Sequence, residues 1–268
     1  YQYSNSAWTQ LGSDIDGEAG GDWSGDSVSL NSDGTIVAIG ARYNDGGGNA
    51  SGHVRVYQYS NSAWTKLGGD LDGEAADNQA GFSVSLSDDG TIVAFGAPYN
   101  SGNGTFAGHT RIYQYSNSAW TQLGSDIDGE DAGDQSGYSV SLSSDGTIVA
   151  IGARYNADHG GNSGHVRVYQ YSNSAWTQLG SDINGEATEA GEAGTSVSLS
   201  SDGTIVAFGA PANSSNRGQV RVFQYSNSAW TQLGTDIAGE ATNDASGYSV
   251  SLSSDGTIVA IGAYDNDG

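Results

Sequence analysis

The chain has 268 residues, with 8 Lys plus Arg against 31 Asp plus Glu for a formal charge of −23, and it holds neither Cys nor Met. A field of that sign repels nucleic acid and anionic membranes, because phosphate binding needs Lys and Arg. Without Cys there is no disulfide framework and no thiol chemistry, and no apolar run reaches the roughly 18 residues of a membrane-spanning helix. The missing Met at position 1 points to a mature or trimmed piece, with any targeting signal out of view. The 42 glycines and heavy Ser usage suit many short strands joined by tight turns.

Taken in order, the sequence reads as five repeats, 1–56, 57–112, 113–168, 169–222 and 223–268. Each opens with Tyr1–Gly12 (YQYSNSAWTQLG) or a close variant, a hairpin turning at Asn-Ser. A polar, acidic loop follows. Then comes Gly25–Ala41, recurring as Gly81–Ala97, Gly137–Ala153, Gly194–Ala210 and Gly247–Ala263. In it a run alternating Ser with Val and Leu meets a nearly all-apolar run at an Asp-Gly turn. The pair reads as a hairpin with one edge strand and one buried strand. A loop of varied sequence leads to His53–Val56, which extends the first strand of the next hairpin.

Each unit therefore holds four antiparallel strands, designated A (Ser-Val-Ser-Leu), B (Thr-Ile-Val-Ala-Ile-Gly), C (His-Val-Arg-Val-Tyr-Gln-Tyr) and D (Trp-Thr-Gln-Leu-Gly). No helical period appears. The expected fold is all-β, a single five-bladed β-propeller over 1–268. The alternative, a parallel β-solenoid, would need shorter coils without hairpin turns. The chain starts at strand C and stops after strand B. The ring is therefore expected to close by pairing the N-terminal strands C–D (Tyr1–Ile15) with the C-terminal strands A–B (Gly247–Ala263). No His-Val-Arg-Val precedes Tyr1, so this is the expected weakest seam. Closure within one molecule is favoured over pairing between molecules by effective concentration, and a monomer is expected. Trp8, Trp64, Trp120, Trp176 and Trp230 open strand D once per repeat and read as packing residues.

Antiparallel order puts the A–B and C–D turns on one face and the D–A and B–C loops on the other. The second face is longer, more acidic and more variable, the kind of surface where binding sits. Its D–A loops begin with acidic runs: Asp14, Asp16 and Glu18; Asp70, Asp72 and Glu74; Asp126, Asp128 and Glu130. In repeats four and five the second acid becomes Asn184 and Ala238. Two readings stand: a Ca2+ site, since Asp-x-Asp-Gly spacing offers hard oxygens, or loop-holding acids that cap N–H groups or pair with Arg55, Arg111, Arg167 and Arg221. Asp22, Asp77, Asp134 and Asp244 share that pair of readings. Aromatics recur beside these acids: Phe82, Tyr138 and Tyr248 at the start of strand A, and Tyr43, Tyr99, Tyr155 and Tyr264 at the end of strand B. Carboxylates and amides next to Tyr suit a sugar site; packing between blades is the other role open to them. His53, His109 and His165 fall in separate blades and read as exposed or capping residues rather than one metal cluster.

Near-identical repeats create five similar environments, whereas acid–base catalysis needs carboxylates with different roles. No Gly-x-Ser-x-Gly elbow appears either, so no enzymatic activity is expected. Gly-x-Ser-Val-Ser, then Asp-Gly, then Val-Ala-Phe-Gly-Ala-Pro (Gly81–Pro98 and Gly194–Pro211), followed by a loop and Gly-His-Val-Arg-Val-Tyr, resembles the FG-GAP repeat of integrin-α-type propellers. It is also similar to acidic versions in marine microbial and algal surface proteins. The resemblance covers all five repeats and implies an extracellular or cell-surface binding or adhesion module, with a glycan or a protein as ligand. Two departures stand out. The family's calcium loop between strands A and B is a bare Ser-Asp-Gly turn here (Ser144–Gly146), and the family's rings have seven blades. Arg42 and Arg154 also replace the family's Pro. The competing expectation is a structural scaffold, engineered or recently amplified, without a specific ligand.

Overall fold

A computed structural model describes residues 1–186 and 190–267. The two turn types follow from residue chemistry. At the C–D turn Asn61 and Ser62 take φ of 50° and 64° while Ser60 faces Ala63. That is a two-residue turn with both central residues left-handed, and its twist matches the strand pair. At the A–B turn Asp89 Oδ1 accepts from the Thr91 amide (2.9 Å), the Thr91 hydroxyl (2.8 Å) and Ser87 Oγ (2.7 Å). Ser87 Oγ in turn accepts from the Ile92 amide at 3.0 Å. The cycle repeats at Asp145, Asp202 and Asp255, and at Asp255 it holds the carboxyl down at about 2.

Strands A to D lie side by side and antiparallel. One complete blade runs Ser83–Leu86, Ile92–Ala97, His109–Ser116 and Ala119–Gln122. A short extra strand, Ile127–Asp128, returns to pair with the start of strand C. The sequence reading placed it in a loop; Ile127 is buried, and its apolar side chain pins the loop to the sheet. Four sheets have this order, and two hairpins, Gln2–Ser4 with Ala7–Thr9 and Ser246–Leu252 with Val259–Ala263, supply halves of a fifth blade. Among the described residues the one helical segment is Asn213–Asn216, whose Ser214 and Ser215 are left-handed, which makes it a loop in all but name.

Successive blades are joined the same way each time. Ser27 Oγ donates to Gly81 O (2.6 Å), Ser83 to Gly137 (2.9 Å), Ser139 to Gly194 (2.7 Å) and Ser196 to Gly247 (2.8 Å). Ser29 Oγ accepts from the Leu86 amide of the next blade at 3.0 Å, as do Ser85, Ser141 and Ser198 from their neighbours. The strand B glycines permit this approach: a Cβ at Gly96 would overlap the Gly137 carbonyl. On the outer side Trp64 Nε1 donates to Leu11 O, Trp120 to Leu67, Trp176 to Leu123 and Trp230 to Leu179, at 2.7–2.8 Å. The Ser and Trp of each repeat thus tie one blade to the next, and Phe95, Val54, Val166 and Phe208 fill the core between them.

The fifth blade is supplied by the two chain ends. The N-terminal hairpin sits beside the first blade through Leu11 and Trp64, and the C-terminal hairpin sits beside the fourth through Gly247. Among the described strands no ladder joins the two hairpins. In a complete blade strand C meets strand B over six positions, from Ile92↔Gln114 to Ala97↔His109. Gln2 and Tyr1 are the equivalents of Gln114 and Tyr113. Trp8, Leu30 and Ile258, whose counterparts pack in other blades, are correspondingly 69%, 60% and 69% exposed.

Candidate functional site

The five residues that follow the strand A glycine, Asp26, Phe82, Tyr138, Thr195 and Tyr248, converge with Arg42 on one cavity of about 350 Å3. Strand A is therefore the inner strand, and its start faces the axis on the side of the D–A and B–C loops. Beside it lies a larger cavity of about 500 Å3, lined by Tyr138, Arg154, Tyr155, Glu192, Tyr248 and Tyr264, with Asn216, Asn243 and Asp265 at its wall.

The structure brings the predicted aromatics together. Phe82 lies 4.6 Å from Tyr138 and 6.4 Å from Tyr99 between ring centroids, and Tyr248 lies 4.6 Å from Tyr264. Tyr43 packs edge-on against Trp23 at 4.9 Å. Arg154 holds its guanidinium 3.8 Å from the Tyr138 ring centre and 4.3 Å from Tyr155. Arg42 lies over Trp23, Tyr43 and Phe82 at 4.7, 5.0 and 4.7 Å, and pairs with Asp26 at 3.0 Å. These two cations stand where Pro98 and Pro211 stand in the alternate repeats. That Arg–Pro–Arg–Pro alternation was the available signal for them. Glu192, 4.0 Å from Arg154 Nη1, carried no such signal. Burial raises its carboxyl above the ordinary range, with Arg154 acting in the opposite direction. Burial also raises the Tyr138 phenol.

The acidic runs are split rather than gathered. The first acid of each accepts from the residue four positions earlier: Asp14 from Gln10, Asp70 from Lys66, Asp126 from Gln122, Asp182 from Gln178 and Asp236 from Gln232. The second acid contributes its main chain, since Arg55 donates to Asp16 O, Arg111 to Asp72 O and Arg167 to Asp128 O. Asn184 O serves Arg221 equally well, which explains why this position tolerates losing its charge. The Glu pairs with strand C arginine: Glu18 with Arg55 at 3.5 Å, Glu74 with Arg111 at 3.6 Å and Glu130 with Arg167 at 3.4 Å. Burial raises Asp128 and Glu130. Among the described residues, the groups that gather near one point combine the Glu of one run, the first Asp of the next and a histidine between them. His53, His109 and His165, read from the sequence as exposed or capping, are buried.

Asp22, Asp134 and Asp244 tie the loops together by accepting from Asn44, Asn156 and Asn266. In the second blade that role falls to Asn78, which accepts from Asn100, and not to Asp77. Asp77 instead accepts from Asn49 at the surface.

An FG-GAP repeat model matches residues 126–169, from the D–A loop into strand C of the third repeat. No curated protein shows a significant sequence match. Among solved structures, the chain is similar to the periplasmic gluconolactonase of Pseudomonas aeruginosa, with TM-score 0.58 and 16% identity over 88% of this chain and 64% of that one. It is similar to hydrazine synthase of Kuenenia stuttgartiensis, with TM-score 0.55 and 13% identity over 95% and 58%. It is also similar to a Bacteroides uniformis protein assigned as a candidate 6-phosphogluconolactonase, with TM-score 0.50 and 11% identity over 88% and 77%. At these identities the likeness shows the β-propeller fold. The chain spans less than two thirds of the first two structures. The expectation of no enzymatic activity is corrected by this finding, because two of the propellers it resembles are named as lactonases. Near-identical repeats are also a weaker argument than they looked: the repeats diverge at the axis, where Glu192, Arg154 and Thr195 make one sector unlike the rest. Among the described residues no helix is long and apolar enough to cross a membrane.

Proposed function

We propose that this propeller of FG-GAP-type repeats is an extracellular or surface-exposed binding module that takes a carbohydrate in the axial cavity of its D–A and B–C loop face. The observation that carries this reading is the cavity's lining, Tyr155, Tyr248 and Tyr264 beside Glu192, Asn216, Asn243 and Asp265. Aromatic faces cover the apolar side of a sugar ring, while carboxylates and amides take its hydroxyls; a concave site with a few convergent polar groups is the usual form of a ligand site. Tyr248 and Tyr264 are 50% and 64% exposed, so their faces are open to a ligand. In a glycan array the chain is expected to retain a defined set of sugars, and Tyr264→Ala to weaken retention at least tenfold. Retention of no sugar, or no effect of Tyr264→Ala, overturns the reading in favour of a scaffold without a ligand.

A second reading, cleavage of a sugar lactone in the same cavity, is favoured by the raised Glu192 carboxyl, since perturbed acids in clefts are candidates for proton transfer. Gluconolactone turnover that Glu192→Gln abolishes would establish it, and no turnover by the chain would overturn it.

The reading includes a closed, monomeric ring, in which Tyr1 and Gln2 pair with Val259 and Ile258 and Trp8 reaches Leu233 O as Trp64 reaches Leu11. Support comes from the exposed Trp8, Val28, Leu30 and Ile258, each worth about 1.5–3 kcal/mol when fully buried.

A further inference from the structure

We infer that the first three blades each carry a site for a divalent first-row transition ion, built from the strand C histidine, the Glu of the D–A loop before it and the first Asp of the D–A loop after it. The sites are Glu18–His53–Asp70, Glu74–His109–Asp126 and Glu130–His165–Asp182, and in each the three ligand atoms lie within 4.8 Å of one another. None of these residues lines the axial cavity, so the inference is independent of the carbohydrate reading.

The imidazoles are the first argument. His53, His109 and His165 are 1%, 1% and 0% exposed. His53 Nδ1, His109 Nε2 and both ring nitrogens of His165 have no hydrogen-bond partner. A buried polar atom without a partner is costly and calls for an explanation. In the first and third blades the glutamate stands too far off to supply one; in the second, Nδ1 has Asp126 Oδ2 at 3.5 Å and the orphan is Nε2. Nδ1 lies 3.9 Å from Glu18 Oε2 in the first blade, 3.8 Å from Glu74 Oε2 in the second and 3.8 Å from Glu130 Oε2 in the third. Those spacings exceed a hydrogen bond. They are close to the roughly 3.3 Å between neighbouring ligands around a tetrahedral ion with bonds of about 2.0–2.1 Å.

The outer contacts are the second argument. Gln122 donates to Asp126 Oδ1, leaving Oδ2 3.5 Å from His109 Nδ1. Gln178 does the same for Asp182. Arg111 and Arg167 approach Oε1 of their Glu and leave Oε2 toward the histidine. Ligands held from behind in this way are what a metal site needs. The glutamate side chains are 45%, 46% and 36% exposed, which gives an ion a way in and leaves room for water in its shell. One nitrogen with two carboxylates suits Zn2+, Co2+ or Mn2+; Ca2+ wants six to eight oxygens.

The chain contains its own comparison. In the fourth repeat Gln219 takes the histidine's place, Glu186 accepts from Asn213 (2.9 Å), and Arg221 turns to Asp236 (3.2 Å). The first site carries Lys66 where the others carry Gln, with Nζ 2.8 Å from Asp70, so it should bind most weakly.

The test is calorimetric titration of the full chain with Zn2+ in millimolar Ca2+, repeated with Co2+ by visible absorption. The expected result is two tighter equivalents and a third weaker one. His109→Gln and His165→Gln should each remove one tight equivalent, weakening it at least tenfold. Both install the residue that the fourth blade already carries, and circular dichroism checks that they fold. Lys66→Gln should tighten the weak site. No uptake of Zn2+ or Co2+ by the folded chain, uptake unchanged in the double His→Gln variant, or displacement by Ca2+ would each overturn the inference.

Discussion

The seam between the second and third blades and the seam at the chain ends use the same residue types and reach opposite outcomes. At the inner seam Leu142 is 8% exposed, Gly96 lies against Gly137, Ser83 bonds across, and on the outer rim Trp176 reaches Leu123 of the second blade, as Trp120 reaches the first. At the terminal seam Leu30 is 60% exposed and no atom lies within 4 Å of where a Cβ on Gly25 or Gly34 would stand. The inner seam lies between two complete blades, whose strands B and C pair over six positions, whereas the terminal seam lies beside two hairpins that no ladder joins among the described strands. Side-chain contacts between blades form only where the backbone has first been brought into register.

Three measurements press on this comparison. The largest effect is expected from Trp120→Ala, which removes a packed indole and its bond to Leu67 O. It should cost about 3–5 kcal/mol in denaturant unfolding. Trp8→Ala should cost about 1–2 kcal/mol if the ring closes in solution, and a cost near zero would show that it stays open. Next comes Gly96→Ala, whose methyl meets the Gly137 backbone and should cost about 3 kcal/mol. Gly262→Ala meets only the Ser249 side chain here and should cost less than about 1 kcal/mol if the ring stays open, but about as much as Gly96→Ala if it closes in solution and brings Gly25 alongside.

The third measurement is pH dependence in metal-free buffer, which compares the buried histidines with the solvated seam. His165 is lowered to about 4 in the folded chain from an ordinary 6.5, mainly by burial. Between those values the unfolded chain binds the extra proton, so stability rises with pH. The contribution is complete above about pH 6.5 and is lost as pH falls toward 4, by roughly 3 kcal/mol at most. His165→Gln should flatten that part of the profile, while Trp8→Ala should leave it unchanged.

Much of the fold was legible in the residues. Asn61-Ser62 and Asp89-Gly90 specify their turns locally, and alternation of Ser with Val and Leu marks an edge strand against a buried one. The FG-GAP resemblance rested on these same stretches and agrees with the match over 126–169. The aromatics at the ends of strands A and B were legible as a recurring set, but which of them line the two cavities was not, because that depends on how the blades turn about an axis. Phe82, Tyr138 and Tyr248 line one, Tyr138, Tyr155, Tyr248 and Tyr264 the other, and Tyr43 and Tyr99 neither. The role of Asp16 and Asp72 was hidden for another reason: they act through carbonyl oxygens, which any residue supplies.

What the sequence determined by itself is the blade: period, strand order, turns, and the Ser, Gly and Trp that join neighbours. All of these follow from contacts within one repeat or from a pattern that each repeat presents to the next. Only the tertiary structure decided which side chains from different loops share a space. Glu74 and Asp126 belong to acidic runs in successive repeats, yet both face His109 because strand C carries that histidine between the two loops. Which blade each chain end packs against was likewise visible only in three dimensions, through Leu11 with Trp64 at one end and Gly247 with Ser196 at the other.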